Sequence, residues 1–151
     1  MQLKFKIITM KTNSRIAVFL DHSKARLITC DNSHAEFREL IESTWESHPR
    51  IRGEGSNQAR FGTNPYYGSN NEYSLNMQKQ ELKRMYFKEI KARLLAYNQI
   101  LLFGGGPAKR EMLHFLGEDH SFKNKSIYIE NADYLTDNQL LETVRNYFLN
   151  K

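Results

Sequence analysis

The sequence predicts an α/β fold: a single domain over residues 1–151, with a mixed β-sheet of about five strands, an N-terminal antiparallel meander and three helices. Two observations support this prediction. The first part of the chain holds short β-branched and aromatic runs separated by polar turns, which is typical of consecutive antiparallel strands. The second part alternates helical and strand patterns, which favours parallel pairing there and a mixed sheet overall. A length of 151 residues suits one domain with its own core.

The meander is predicted from apolar runs and from the turns that separate them. Residues 15–20 form a β-branched and aromatic run that indicates a buried strand. Polar turns at 21–23 and 31–33 divide it from two further strands, predicted at 24–29 and 35–43. Before the meander, an alternating run at residues 3–7 predicts one more strand, and it lacks the apolar region of a signal peptide.

The second part of the chain is predicted to hold three helices and two short strands. A helix over 77–97 follows from apolar side chains at helical spacing, namely Leu82, Tyr86, Ile90, Leu94 and Tyr97. Strands are predicted at 100–103 and 125–130. A second helix, over 108–116, begins after Pro107, because proline is favoured at a first helical position. The last helix begins at a capping box formed by Thr136 and Gln139.

Between the meander and the first helix, residues 46–76 show no sustained hydrophobic period and are predicted to form a long loop. The segment is rich in glycine and asparagine, residues that favour turns over regular elements. Loops of this length in compact domains are usually functional or disordered. The loop is therefore a candidate functional segment.

The distribution of charge indicates a polyanionic partner. The net charge is +5, with +1 on residues 1–49, +7 on residues 50–110 and −3 on residues 111–151. Such asymmetry is typical of nucleic-acid binding, and RNA is the leading candidate. A solvated basic face without a partner is the alternative. The single cysteine, Cys30, favours a reducing, cytoplasmic setting, and no apolar run is long enough for a membrane span.

The candidate RNA-binding side chains come from the basic middle of the chain. Arg84, Lys88 and Lys91 are predicted to stack on one face of the first helix, opposite its apolar stripe. Like charges at this spacing cost about 0.2–0.5 kcal/mol per pair in an isolated helix, so a phosphate backbone would relieve them. The full set of candidates is Arg50, Arg52, Arg60, Arg84, Lys88, Lys91, Lys109 and Arg110.

The turn at residues 104–110, Gly-Gly-Gly-Pro-Ala-Lys-Arg, has two interpretations. Backbone N–H groups at the start of a helix can bind an anion. Alternatively, the glycines are needed only for a tight strand-to-helix turn. The turn has neither the Gly-Lys-Ser/Thr ending of a Walker A loop nor the glycine spacing of a dinucleotide fingerprint, so no nucleotide cofactor is predicted.

Few residues have the pattern of a catalytic or metal site. The five histidines are scattered and Cys30 stands alone, so no metal is predicted. Gln58 is the candidate catalytic residue, because an amide can enter an anionic site that would repel a carboxylate, and can position a water. It follows a loop formed by Gly53, Gly55, Ser56 and Asn57. An ordinary polar loop residue is the alternative interpretation.

Three segments together resemble the middle domain of archaeo-eukaryotic class-1 peptide-chain release factors and of their ribosome-rescue relative Pelota. Residues 16–28 resemble the opening hairpin of that domain. Residues 53–61 lie where release factors carry a Gly-Gly-Gln loop followed by a long basic helix. Residues 101–109 resemble its strand, its Gly-Pro-type turn and the lysine at its helix start. The resemblance covers roughly residues 14–150, and the chain is similar to divergent, stand-alone bacterial versions of the domain.

This resemblance implies a ribosome or structured RNA as partner and a role in ribosome rescue or quiescence. In the release factors, the motif's glutamine helps water attack the peptidyl-tRNA ester. Here Ser56 and Asn57 separate Gly55 from Gln58, and Pelota lacks the motif and does not hydrolyse, so strong catalysis is not expected. A peptidyl-tRNA ester hydrolase acting through Gln58 is one alternative. A protein-interaction module with no RNA role is another.

Overall fold

The computed structural model describes residues 14–44 and 65–150, and the side chains of the first helix from Glu72 onward. Its strands are β1 (Arg15–Leu20), β2 (Lys24–Asp31), β3 (His34–Glu42), β4 (Gln99–Gly104) and β5 (Ser126–Asn131). Its helices are α1 (Pro65–Leu94), α2 (Ala108–Gly117) and α3 (Asp137–Leu149), with a 3-10 turn at His120–Phe122. Outside the described residues lie the predicted strand at 3–7 and the candidate residues Arg50, Arg52, Gly53, Gly55, Ser56, Asn57, Gln58 and Arg60.

The described strands form one mixed sheet in the order β3-β2-β1-β4-β5. Strands β1, β2 and β3 pair antiparallel, whereas β4 pairs parallel with both β1 and β5. The predicted α/β fold is therefore confirmed: a single domain with a five-stranded mixed sheet, an antiparallel meander and three helices. The Thr136–Gln139 capping box at the start of α3 is confirmed as well.

The sheet is covered by helices on both faces, because its central strands are apolar on both sides. On one face, α1 and α2 bury side chains such as Ile90 and Met112 against Val18 and Leu102. On the other face, α3 buries Val144 and Phe148 against Ala17 and Leu101. The candidate RNA-binding cations on α1 and α2 therefore share one layer of the domain.

Helix α1 begins earlier in the chain than the sequence predicts. It runs from Pro65 to Leu94, so the prediction of a loop over residues 46–76 is wrong from Pro65 onward, and the predicted helix limits 77 and 97 are also wrong. The error has a physical reason. Between Glu72 and Glu81 only Leu75 is half-buried and the other side chains are exposed, and a single apolar contact produces no repeating hydrophobic period.

Candidate nucleic-acid interface

An open groove of about 460 Å³ runs between α1 and α2. Its floor is aromatic, since Phe87 of α1 and Phe115 of α2 have ring centroids 5.7 Å apart. Most of the residues that line it are of polar or charged type, and they include two of the predicted RNA-binding residues, Arg84 and Arg110, one from each helix. The fold therefore brings together two cations that lie far apart in the sequence.

The helices present these walls to solvent because their opposite sides are anchored in the core. On α1, Tyr86, Ile90 and Leu94 are buried, and the Tyr86 hydroxyl donates a 3.0 Å hydrogen bond to the carbonyl oxygen of Asp21. That bond ties the carboxyl-terminal half of α1 to the turn between β1 and β2. On α2, the buried residues are Ala108, Lys109, Met112 and Leu116. The remaining faces of both helices form the groove.

One cation of the groove is already neutralised within the protein. The Lys83 ammonium lies 3.0 Å from the Glu111 carboxylate, and His22 Nε2 lies 3.1 Å from the same oxygen. Partial burial by itself raises the pKa of Glu111, but the hydrogen bonds from Lys83 and His22 outweigh it and hold that pKa below its ordinary value. Lys83 was not among the predicted candidates, although it adjoins Arg84 in the same basic helix.

Three of the predicted cations remain exposed and available. Arg84 and Lys88 on α1 and Arg110 on α2 are exposed, and they form no ion pair with another described residue. Counting histidine as neutral, the lining of the groove has three cations, Lys83, Arg84 and Arg110, against the carboxylates of Glu111 and Glu118, so its net charge is +1. Guanidinium groups bind phosphate oxygens through paired donors, so this excess suits a phosphate backbone.

Lys91 differs from Arg84 and Lys88 despite sharing their spacing. Its ammonium lies 3.1 Å from the Asp119 carboxylate and 5.0 Å from the centroid of the Phe115 ring. The backbone N–H of Ser121 and the Lys91 ammonium hold the pKa of Asp119 below its ordinary value, so the Asp119 carboxylate is ionised at neutral pH. Lys91, predicted as an RNA-binding cation, thus pairs within the protein and links α1 to the segment that follows α2.

Lys109, another of the predicted RNA-binding residues, is largely buried. Its residue is only 4% exposed, and its ammonium donates a 2.9 Å hydrogen bond to the carbonyl oxygen of Gly106. At Gly104, where φ is +154°, an added Cβ would lie 2.5 Å from the carbonyl oxygen of Leu20. Both observations explain the turn as a tight strand-to-helix connection, so the geometry favours that interpretation over an anion site.

The pKa of Glu111 leads to a pH-dependent prediction. Its folded-state pKa is lowered from 4.5, so its ionised form stabilises the fold above about pH 4.5, and this contribution is lost as pH falls through the folded-state pKa. We expect Glu111→Gln to lower the free energy of unfolding by about 0.5 kcal/mol at pH 7, because partly exposed ion pairs are screened by solvent. Urea denaturation at pH 7 and pH 3 measures this effect.

The control for that experiment is Glu118→Gln on the same helix. Among the described residues Glu118 pairs only with His114, and both side chains are largely exposed, so its substitution should leave stability nearly unchanged at either pH. A Glu111→Gln defect as large at pH 3 as at pH 7 would contradict the electrostatic explanation.

Within residues 14–44 and 65–150, no group of three or more His, Cys, Asp and Glu side chains is arranged to hold a metal ion. None of the described helices is long and apolar enough to span a membrane.

No protein-family model matches the sequence, and a comparison with curated proteins finds no relative. Solved structures do match the fold. Pelota from Archaeoglobus fulgidus matches with a TM-score of 0.53 and 12% identity over 96% of this chain and 35% of its own. Pelota from Thermoplasma acidophilum matches with a TM-score of 0.54 and 12% identity over 95% of this chain and 37% of its own.

The archaeal translation termination factor aRF1 matches with a TM-score of 0.51 and 13% identity, over 93% of this chain and 36% of its own. The chain thus spans roughly a third of the length of each of these three proteins. At such identities the similarity concerns the fold. This chain has a fold that resembles one part of Pelota and of the release factor aRF1.

Proposed function

We propose that this protein binds RNA in the setting of translation, through the α1–α2 face, and acts in ribosome rescue or quiescence without strong catalysis. The observation that carries the proposal is the contrast among its cations. Lys83 and Lys91 are neutralised by Glu111 and Asp119. Arg84, Lys88 and Arg110 lie on the same layer without an ion pair to any described residue.

The fold and the charge distribution support the same assignment from independent directions. The fold resembles part of aRF1, a translation termination factor, and part of Pelota, which the family resemblance connects with ribosome rescue. The positive charge of residues 50–110 falls on α1, on the start of α2 and on the segment before them. A ribosome offers a dense array of phosphates, and binding to such an array is driven by counterion release.

Co-sedimentation with ribosomes across a range of salt concentrations tests the proposal. We expect the protein to pellet with ribosomes at low salt and to be released steeply as salt rises, because each phosphate contact releases condensed counterions. Binding that does not change with salt, or no binding to ribosomes or to free RNA at low salt, would contradict the proposal and favour a protein-interaction module.

The hydrolase alternative is distinguished by a second readout on the same ribosomes. Ribosomes loaded with peptidyl-tRNA report ester hydrolysis as released peptide. Little or no release is expected from the wild-type protein, because Gln58 lacks the preceding Gly-Gly pair that gives the backbone close access to the ester. Robust release that disappears in Gln58→Ala, at equal ribosome occupancy, would instead establish the hydrolase.

A further inference from the structure

Helix α1 is held firmly over only part of its length. Its carboxyl-terminal half is fixed by buried Ile90 and Leu94 and by the Arg93 guanidinium, which donates bonds of 3.1 and 3.2 Å to the Glu39 carboxylate of β3. Beyond the helix end, the Lys125 ammonium donates to the carbonyl oxygens of Leu95 and Tyr97. Tertiary contacts of this kind supply most of the stability of a helix in a protein.

The stretch of α1 from Glu72 to Glu81 lacks comparable support from the described residues. From Glu72 to Glu81 every side chain except half-buried Leu75 is exposed, and none of these side chains forms a hydrogen bond or ion pair with another described residue. The sequence of the amino-terminal half of α1 also has a low helix propensity, because glycine, serine and asparagine are unfavourable in a helix interior. Such residues recur along it at Gly68, Ser69, Asn70, Asn71, Ser74 and Asn76.

One face of α1 joins this exposed stretch to the cationic surface. Tyr73, Met77, Arg84 and Lys88 fall within a sector of about 60° at 3.6 residues per turn, and they extend over about 22 Å of helix. Tyr73 is 69% exposed and Met77 50% exposed, so the free protein leaves both large side chains in water. The face ends at Lys91, where Asp119 neutralises the charge.

An exposed aromatic ring in line with unpaired cations fits single-stranded RNA. Proteins that bind single strands combine cations for the backbone with aromatic rings on which unpaired bases stack. Arg84 and Lys88 supply the cations here, and Tyr73 supplies an accessible ring. A docking protein would also accept Tyr73 and Met77, but it would not require two unpaired cations in the same sector.

We infer that unpaired RNA nucleotides lie along this face, with a base stacked on Tyr73, and that their binding stabilises α1 over residues 72–81. The inference rests on the proposed function and adds to it the class of RNA and a coupling to helix stability. Because residues 72–81 have little support from the described residues, their backbone hydrogen bonds open more readily than those near Ile90, and bound RNA closes them.

Binding of a fluorescent, mixed-sequence single-stranded RNA oligonucleotide tests the inference. Tyr73→Ala is expected to weaken binding about fivefold or more, whereas Tyr73→Phe keeps a stacking ring and binds like the wild type. The matched control is Tyr134→Ala, since Tyr134 is 91% exposed in the segment that precedes α3. It should leave affinity unchanged.

The coupling has its own readouts. Ser74→Ala with Asn76→Ala raises helix propensity without changing charge, so the double variant should bind RNA about two- to fivefold more tightly. Asn146→Ala, on the well-packed helix α3, is the control and should have no effect. In hydrogen exchange, amides of residues 72–81 should exchange faster than those of 86–94 in the free protein and slow down when the oligonucleotide is added.

The two proposals fail in different ways. If the wild-type protein binds neither the oligonucleotide nor ribosomes at low salt, the proposed function is wrong, and the inference with it. If it binds RNA but Tyr73→Ala binds equally well, or if RNA leaves exchange in residues 72–81 unchanged, the inference alone is overturned. Thermal melting of Tyr73→Ala should match the wild type, because the side chain is exposed.

Discussion

Replacing Arg84, Lys88 and Arg110 together with alanine is expected to remove most of the salt-dependent affinity for RNA while leaving the fold intact. Each phosphate contact contributes about 0.7–0.9 to the slope of log affinity against log salt concentration. Losing all three should therefore reduce the magnitude of the slope by about 2–3. The fold should survive because all three side chains are exposed and form no ion pair with another described residue. RNA binding measured across salt concentrations gives the slope directly.

A matched variant separates this surface from net charge. Arg145 is an exposed cation on α3, on the opposite face of the sheet, so Arg145→Ala should leave the slope unchanged. Lys91→Ala is a second comparison. Because Lys91 already pairs with Asp119, its loss should change the slope less than the loss of Arg84 does. An unchanged slope in the triple variant would exclude the α1–α2 face as the phosphate-binding surface.

Gly104→Ala is expected to lower the free energy of unfolding by about 2–3 kcal/mol. Gly104 has φ of +154°, and a Cβ atom there would lie 2.5 Å from the carbonyl oxygen of Leu20. That oxygen belongs to β1, which pairs with β4, so neither strand can move away without disturbing the centre of the sheet. The melting temperature should fall by roughly 5–10 °C for a domain of this size.

Gly106→Ala is the control for that substitution, because nothing lies within 4 Å of the position its Cβ would occupy and its φ is not in the left-handed region. It should leave the melting temperature nearly unchanged, and calorimetry of the two variants under identical conditions makes the comparison. If both variants were equally stable, the close approach of Gly104 to Leu20 would not be the reason for glycine in this turn.

Local features of the sequence predicted most of the fold. The capping box at Thr136 and Gln139 joins atoms only three residues apart, so it could be recognised without knowing the rest of the molecule. The strands were recognised from apolar runs, because a strand buried on both faces is apolar throughout. The start of α1 was missed because Leu75 alone is partly buried between Glu72 and Glu81, and a prediction based on hydrophobic period has no repeating signal there.

The sequence by itself determined the fold class, the order of the elements and the concentration of positive charge around α1. Only the tertiary structure decided which cations are available. Arg84 and Lys91 lie on the same basic face of α1. The packing of the fold places Asp119 beside Lys91, and the Asp119 carboxylate neutralises the Lys91 ammonium. Lys109 is likewise buried, and its ammonium donates to the carbonyl oxygen of Gly106. Periodicity and capping act over a few residues, whereas ion pairs and burial depend on how distant segments pack together.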